Sequence, residues 1–257
     1  MTSEISASRL FDLSGEVALV TGASSGLGAR FAEVLTAQCA KVIVAARRIE
    51  RIEALAARLP GAKALGLDVT KPDSFAGFLD AAARAIGPVT LLVNNAGVAD
   101  GKPFIDTPPE EWERVRATNV DAVWHLSQAF AKALIAAKRP GAIINIASIA
   151  SYRVSATPAA YAVSKAAVEH LTKAMAVELA RYQIRVNAIA PGYIKSEMTE
   201  AYLASESGQA MLKRTPQRRA GDPSDLDGTL LLLASPRASG YMTGSTVVVD
   251  GGHMWAT

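Results

Sequence analysis

Cysteine is almost missing from this chain: Cys39 is the only one in 257 residues. That excludes an intrachain disulfide framework and any cysteine-rich zinc module. Aromatic residues make up only 6%, and no apolar run approaches the ~20 residues of a membrane-spanning helix. The segment holding Glu4, Arg9 and Asp12 has no apolar signal core, so a soluble, cytoplasmic protein with no membrane partner is expected. Blocks of one charge are also absent. The 27 Lys and Arg are interspersed with 24 Asp and Glu, for a net charge of +3, and nucleic acid is not an expected partner. His125, His170 and His253 have no metal-ligand spacing and no carboxylate cluster joins them, so no metal site is expected. What is present is 50% apolar residues and 20% charged ones, enough for a sizeable core and against disorder.

Short apolar runs alternate with stretches of helical period from end to end. The runs are Val17–Thr21, Lys41–Ala46, Lys63–Leu67, Leu91–Asn94, Ala142–Ala147, Ile184–Ile189 and Thr246–Val249. Most lack polar alternation, as strands do when both faces of a parallel sheet are covered. Helical stretches are expected over 26–38, 48–59, 72–86, 109–137, 159–181 and 222–234. The alternation predicts a doubly wound α/β fold: a mostly parallel, seven-stranded sheet with helices on both faces, Rossmann-like, in one domain over residues 1–257. Residues 191–220, with Pro191, Gly192, Gly208 and Pro216, break the rhythm around a short helical stretch near 197–212. Their place after the sixth strand favours a substrate lid at about 193–219 over a plain surface loop.

After the first strand comes Thr21-Gly22-Ala23-Ser24-Ser25-Gly26-Leu27-Gly28. Glycines at a strand–helix junction let backbone N–H groups and a helix N-terminus approach a pyrophosphate. No Gly-Lys-Ser/Thr follows, so this is not a Walker-type phosphate loop. The segment 22–26 also matches a Gly-x-Ser-x-Gly nucleophile elbow, which would make Ser24 a hydrolase nucleophile. Its place on the first strand and the lack of a preceding His-Gly-Gly segment weigh against that alternative. The second strand runs into Arg47-Arg48, where an NAD site usually carries an acid for the ribose 2′-hydroxyl. Guanidinium groups suit a 2′-phosphate instead, so NADP(H) is favoured, with NAD(H) the alternative. Two solvated arginines opening a helix are the plainer reading of the same pair.

Tyr161-Ala162-Val163-Ser164-Lys165 puts Tyr161 and Lys165 on one helix face. An ammonium beside a phenol is expected to lower the tyrosine pKa and make it a usable acid or base. Ser148 falls at the carboxyl end of a strand, where open sheets bind ligands. Asn119 lies among the apolar positions Val115, Val123 and Phe130 and needs a partner there.

With these residues the chain resembles the short-chain dehydrogenase/reductase family, in its single-domain branch of about 250 residues. The glycine turn 21–28, Asp68 in Leu67-Asp68-Val69, Asn94-Asn95-Ala96-Gly97, Asn119, Ser148, Tyr161-x-x-x-Lys165 and Pro191-Gly192 stand in the family's order and spacing. The resemblance implies that Asp68 and Val69 contact the adenine, while Asn95, Ala96 and Gly97 line the cofactor's ribose. Tyr161 would exchange the proton and Ser148 would bond the substrate oxygen. Lys165 would hold the nicotinamide ribose, with Asn119 keeping a water that relays protons from it. The backbone of Ile194 would anchor the carboxamide, beside Ser196. The substrate implied is a small carbonyl compound or alcohol. A homotetramer or homodimer, paired through the long helices 109–137 and 159–181, is implied as well. Within the family a 3-oxoacyl-(acyl-carrier-protein) reductase is the closest alternative. The enoyl-reducing branch is disfavoured because its tyrosine and lysine stand further apart. Outside enzymes, a non-catalytic dinucleotide sensor is the competing class, though such proteins tend to lose the tyrosine or lysine that this chain retains.

Ser25 departs from NADP-dependent relatives, many of which have a basic residue before the second glycine. Ile149, Tyr152, Arg153, Val154 and Tyr193 are expected to shape the substrate pocket, with Arg153 either an anion-binding group or a surface arginine. Cys39 is expected to be a small core residue. Trp112, Trp124 and Trp255 are expected to pack, with a subunit interface the alternative to the core for Trp255.

Overall fold

The strands of this computed structural model form at the seven apolar runs: β1 (Val17–Thr21), β2 (Lys41–Ala46), β3 (Lys63–Gly66), β4 (Leu91–Asn94), β5 (Gly141–Ile146), β6 (Ile184–Pro191) and β7 (Thr246–Val249). The structure describes residues 6–99, 102–154 and 158–256. The sheet order is β3-β2-β1-β4-β5-β6-β7, and every neighbouring pair is parallel. Val20 lies opposite Val44 on one side and Val93 on the other. The order reverses between β1 and β4, which opens a crevice at their carboxyl ends.

The helices are α1 (Ala7–Leu10), α2 (Gly26–Ala37), α3 (Ile49–Arg58), α4 (Phe75–Ile86), α5 (Pro109–Arg116), α6 (Ala122–Ala136), α7 (Ala159–Leu179), α8 (Glu200–Ala204), α9 (Glu206–Arg214), α10 (Asp227–Ala234) and α11 (Pro236–Ser239). Alternate strand residues feed two cores. Val20, Val44, Val93 and Ile144 pack with Phe31, Leu35, Leu230 and Leu233 from α2 and α10. Leu19, Ile43, Leu92 and Ile143 pack with Phe75, Phe78, Phe130 and Leu134 from α4 and α6. Both faces of the inner strands are therefore dry, which is why β1 and β4 are buried throughout and most strands read as apolar runs.

Several expectations are corrected. The stretch 109–137 is not one helix: a π-helical turn, Ala117–Asp121, separates α5 from α6. The stretch near 197–212 divides into α8 and α9 at Ser205, whose hydroxyl accepts from the Gly208 N–H at 3.2 Å and caps the second. Cys39 is exposed, not a core residue. It occupies the left-handed position (φ 68°) that ends α2, and the next residue, Ala40, takes the core place. Trp112, Trp124 and Trp255 are 38%, 52% and 79% exposed, so none packs in the core. On α6 the buried stripe runs Val123, Leu126, Phe130, Leu134, and Trp124 stands one step off it.

A polar ladder crosses the interior beneath the crevice. Asn94 Nδ2 donates to Asn145 Oδ1 at 2.9 Å and to Ser127 Oγ at 3.0 Å. Asn145 Nδ2 donates to Thr172 Oγ1 at 2.9 Å, and Thr172 donates to the Val168 carbonyl at 2.8 Å. All four side chains are buried, so β4, β5, α6 and α7 are joined by directional bonds that water cannot replace. Thr172→Val keeps the shape but strands the Asn145 amide. It should lower the unfolding free energy by about 1–3 kcal/mol, seen as a reduced denaturant midpoint.

Candidate active site

A cleft of about 440 Å³ opens at the carboxyl ends of the central strands. Its floor is backbone. Gly22 has φ 66°, and a Cβ there would lie 2.9 Å from Ala96 Cα. A Cβ on Gly28 would strike the Gly22 carbonyl and lie 2.6 Å from Asn95 Nδ2. Thr21 fastens the two segments together. Its hydroxyl accepts from the N–H groups of Asn95 (3.0 Å) and Ala96 (3.1 Å), and Asn95 Nδ2 donates to the Thr21 carbonyl at 2.9 Å. The glycine turn and residues 95–97 thus meet closely, with only the Asn95 amide and the Thr21 hydroxyl bonded between them. Helix α2 starts at the same place with no acidic residue in its first turn, which leaves a positive helix end facing the cleft.

Along one rim, Arg48 donates from Nε (3.0 Å) and Nη2 (2.8 Å) to Ser24 Oγ, and from Nη2 to Ser25 Oγ at 2.8 Å. Ser24 therefore faces a guanidinium and no histidine, and the nucleophile alternative falls. Arg48 Nη1 also lies 3.4 Å from Glu197, whose other oxygen lies 2.8 Å from Arg51 Nη1. Arg51, then Arg48, hold the Glu197 carboxyl below its ordinary pKa. Asp68 accepts from the Thr70 N–H (3.0 Å) and hydroxyl (2.8 Å). These bonds, with Arg47 nearby, keep its carboxyl ionised below the usual carboxylate range.

On the far side, Ser148 caps the turn Ile149–Ser151 by accepting from the Ala150 N–H at 3.1 Å. Its side chain lines the cleft with Tyr161, near enough to act on the phenol and favour its ionised form. One turn along α7, Lys165 Nζ donates to the Ile146 carbonyl at 2.7 Å and lies 5.6 Å from the centre of the Tyr161 ring. The expected lowering of the Tyr161 pKa is not found. Burial raises it, against the opposing effect of Ser148 and with help from Tyr193. The Lys165 charge is directed at a backbone carbonyl, and desolvation of the phenol prevails. Burial also lowers Lys165, to about 8.

Asn119 sits in the π turn. Its Nδ2 donates to the Val98 carbonyl (2.8 Å) and Ser164 Oγ (3.0 Å), and its Oδ1 accepts from the Val98 N–H (2.8 Å). Ser164 in turn donates to the Tyr161 carbonyl at 2.7 Å. Asn119 thus ties the loop after β4 to α7, a supporting position behind the cleft.

Most of the expected residues line this one cleft: Gly22, Ser24, Ser25, Gly26, Leu27, Arg47, Arg48, Asp68, Val69, Asn95, Ala96, Gly97, Ser148, Tyr161, Lys165, Pro191, Gly192, Ile194 and Ser196. Gly28 and Asn119 support it from behind. Tyr193 lines a neighbouring cavity of about 220 Å³ with Thr215 and His253. Its ring stacks on Tyr202 (centroids 5.4 Å apart) and meets His253 edge-on (5.3 Å). Two residues expected at the substrate pocket have other tasks. Tyr152 donates to Glu169 at 3.1 Å. Arg153 Nη1 donates to the carbonyls of His253 (3.1 Å), Met254 (3.3 Å) and Ala256, tying down the C-terminal segment. Thr21, Ser164 and Glu197 were not singled out from sequence. Thr21 directly precedes the first glycine, a signal that was available; the other two have none.

The segment after β6 is closed at its base. The Lys195 N–H donates to the Gly221 carbonyl, and the Gly221 N–H to that of Tyr193, both at 2.9 Å. Thr199 Oγ1 donates to the Ile194 carbonyl at 2.6 Å.

Lys165 is expected to titrate apart from the other lysines. NMR of the chain carrying ¹³C-labelled lysine should show one signal with a midpoint near 8, absent in Lys165→Met. A spectrum in which every lysine titrates near the ordinary ~10.4 contradicts this.

The family model described as Enoyl-(Acyl carrier protein) reductase matches residues 22–254. The chain is 40% identical over 252 residues to 5-keto-D-gluconate 5-reductase of Escherichia coli (strain K12), covering 96% of this chain and 98% of that one. It is 40% identical over 242 residues to a 3-oxoacyl-(acyl-carrier-protein) reductase of Vibrio cholerae, covering 94% and 98%. The crystal structure of a gluconate 5-dehydrogenase from Burkholderia cenocepacia J2315, in complex with NADP and tartrate, superposes with a TM-score of 0.93. It shares 34% identity and covers 98% of this chain and 100% of that one. Likeness over nearly the full length, together with a glycine-floored cleft that holds Ser148, Tyr161 and Lys165, means that this chain belongs to the short-chain dehydrogenase/reductase family.

Proposed function

We propose that the chain is an NADP(H)-dependent oxidoreductase that interconverts a carbonyl and a secondary alcohol on a polyhydroxylated small molecule of the sugar-acid kind. The observation that carries this is one cleft lined by Ser148, Tyr161 and Lys165 together with the glycine floor. The floor fits a dinucleotide, because Gly22 and Gly28 leave open a backbone cradle that a Cβ would fill. The turn 22–28 would hold the pyrophosphate, and Arg47 and Arg48 the 2′-phosphate. Asp68 and Val69 would hold the adenine, with Asn95, Ala96, Gly97, Lys165, Ile194 and Ser196 around the nicotinamide half. When bound, that cofactor supplies the redox half of the reaction, giving or taking the hydride.

The chain handles the proton. A carbonyl oxygen placed between Ser148 and Tyr161 receives two hydroxyl donors, which stabilise the negative charge that grows there. Burial raises the Tyr161 pKa, so the phenol keeps its proton at neutral pH and can give it to that oxygen. The Lys165 ammonium, one turn along and charged below about 8, offsets the charge left on Tyr161. Asn119 and Ser164 act by holding α7 and the loop after β4 in place. We also propose that residues 193–219 cover the substrate, with Tyr193 and its ring partners as one wall. Trp124 on α6 and Val177 on α7 leave apolar surface exposed, which supports pairing of these helices in a homotetramer or homodimer. Among the described residues no helix is long and apolar enough to cross a membrane, in keeping with a proposed cytoplasmic location.

A second reading, a 3-oxoacyl-(acyl-carrier-protein) reductase, is favoured by the Vibrio cholerae relative, equal in identity to the keto-gluconate reductase. Oxidation of NADPH, followed at its absorbance band, separates the two. Consumption with 5-keto-D-gluconate or related polyhydroxy ketones supports the first reading, and consumption with a 3-oxoacyl thioester alone supports the second. Tyr161→Phe is expected to lose about 10²- to 10⁴-fold in turnover while binding NADP+ as the parent does. Equal turnover in variant and parent would refute the role of Tyr161.

A further inference from the structure

Of the two arginines proposed for the 2′-phosphate, Arg48 is already engaged. The Arg48 guanidinium is fixed at the cleft rim by Ser24 and Ser25. Both serine oxygens act as acceptors in these bonds, which leaves their hydroxyl protons available to an incoming phosphate oxygen. Ser24, Ser25 and Arg48 therefore stand side by side on one stretch of the cleft rim, each a possible donor to an anion. The nearest anion is one of the chain's own: Glu197 Oε2 lies 3.4 Å from Arg48 Nη1, and Oε1 lies 2.8 Å from Arg51 Nη1. Glu197 lines the same cleft.

We propose that Glu197 is a specificity-determining residue, a built-in anionic competitor for the 2′-phosphate, and that its hold on Arg48 and Arg51 sets how strongly the chain prefers NADP(H) to NAD(H). The inference rests on the cofactor assignment made above. A phosphate reaching Arg48 must replace the carboxylate at Nη1 or share the guanidinium with it, and sharing sets two anions side by side. An NAD(H) ribose, which has only a hydroxyl there, meets no such repulsion and displaces nothing. Glu197 and its two arginine partners are all about half exposed, with side-chain exposures of 59%, 46% and 51%. The pairs are therefore weak and screened by salt, which makes Glu197 a moderate brake and leaves NADP(H) able to bind.

The test is nucleotide binding to the chain without substrate, by isothermal titration calorimetry with NADP+ and NAD+ in turn. Glu197→Gln keeps the shape and removes the charge at an exposed position. It should tighten NADP+ binding about threefold to tenfold and leave NAD+ within about twofold. The gain should shrink in about 0.5 M salt and vanish in the Arg48→Gln background. No gain, an equal gain for NAD+, or a gain that survives Arg48→Gln overturns the role of Glu197. A parent chain that binds NAD+ as tightly as NADP+ removes the cofactor assignment, and the inference with it. A parent that prefers NADP+ while its Glu197→Gln variant is unchanged removes the inference alone.

Discussion

A buried ammonium has to find an acceptor, and Lys165 finds the carbonyl of Ile146, the last residue of β5. That bond fixes α7 against the end of the sheet, and the arrangement of reacting groups follows from it. Two residues beyond Ile146 the chain reaches Ser148, and one turn before Lys165 it reaches Tyr161, so both hydroxyl residues line the same cleft. Desolvation opposes the charge on Lys165 and the carbonyl favours it. The group consequently sits near its titration point, where a proton costs little to move.

The same region is braced from below and behind. The Asn94–Asn145–Thr172 ladder prevents α7 from sliding along β5, since any slip strands a buried amide. Asn119 reaches from the π turn to both Val98 and Ser164. A π turn widens the helix by one residue, and Asn119 is the residue buried within it. The cofactor half is braced differently, by backbone pressed against backbone at Gly22 and Gly28, with Thr21 as the fastening. One half of the cleft is ordered by a buried network of side-chain bonds, the other by close backbone packing that glycines permit and Thr21 and Asn95 fasten.

Much of this was legible in the sequence because it depends on local rules. Apolar runs, most of them without polar alternation, marked all seven strands, and Tyr161 and Lys165 at helical spacing had to share a face. The glycines before α2 had a backbone reason that could be read without coordinates. What escaped was set by tertiary placement. The π turn leaves no trace in the apolar period on either side of it, so 109–137 read as continuous. Arg153 looked like a candidate for binding an anion, yet its partners are C-terminal carbonyls 100 and more residues away. The sign of the Tyr161 shift could not follow from spacing, because burial, which spacing does not report, outweighed the neighbouring charge. Glu197 lies 149 residues from Arg48, and no periodicity connects them.

The parallel bridge between Ile194 and Gly221 has a consequence for how such an enzyme diversifies. Because the chain leaves and re-enters the scaffold at adjacent points, the stretch beyond the cleft-lining Ser196, Glu197 and Thr199 is an insert on a fixed frame. Its length and composition can drift while the strands, the glycine floor and the proton-handling groups stay as they are. New substrates can then be adopted by rewriting some two dozen residues on an otherwise unchanged chassis.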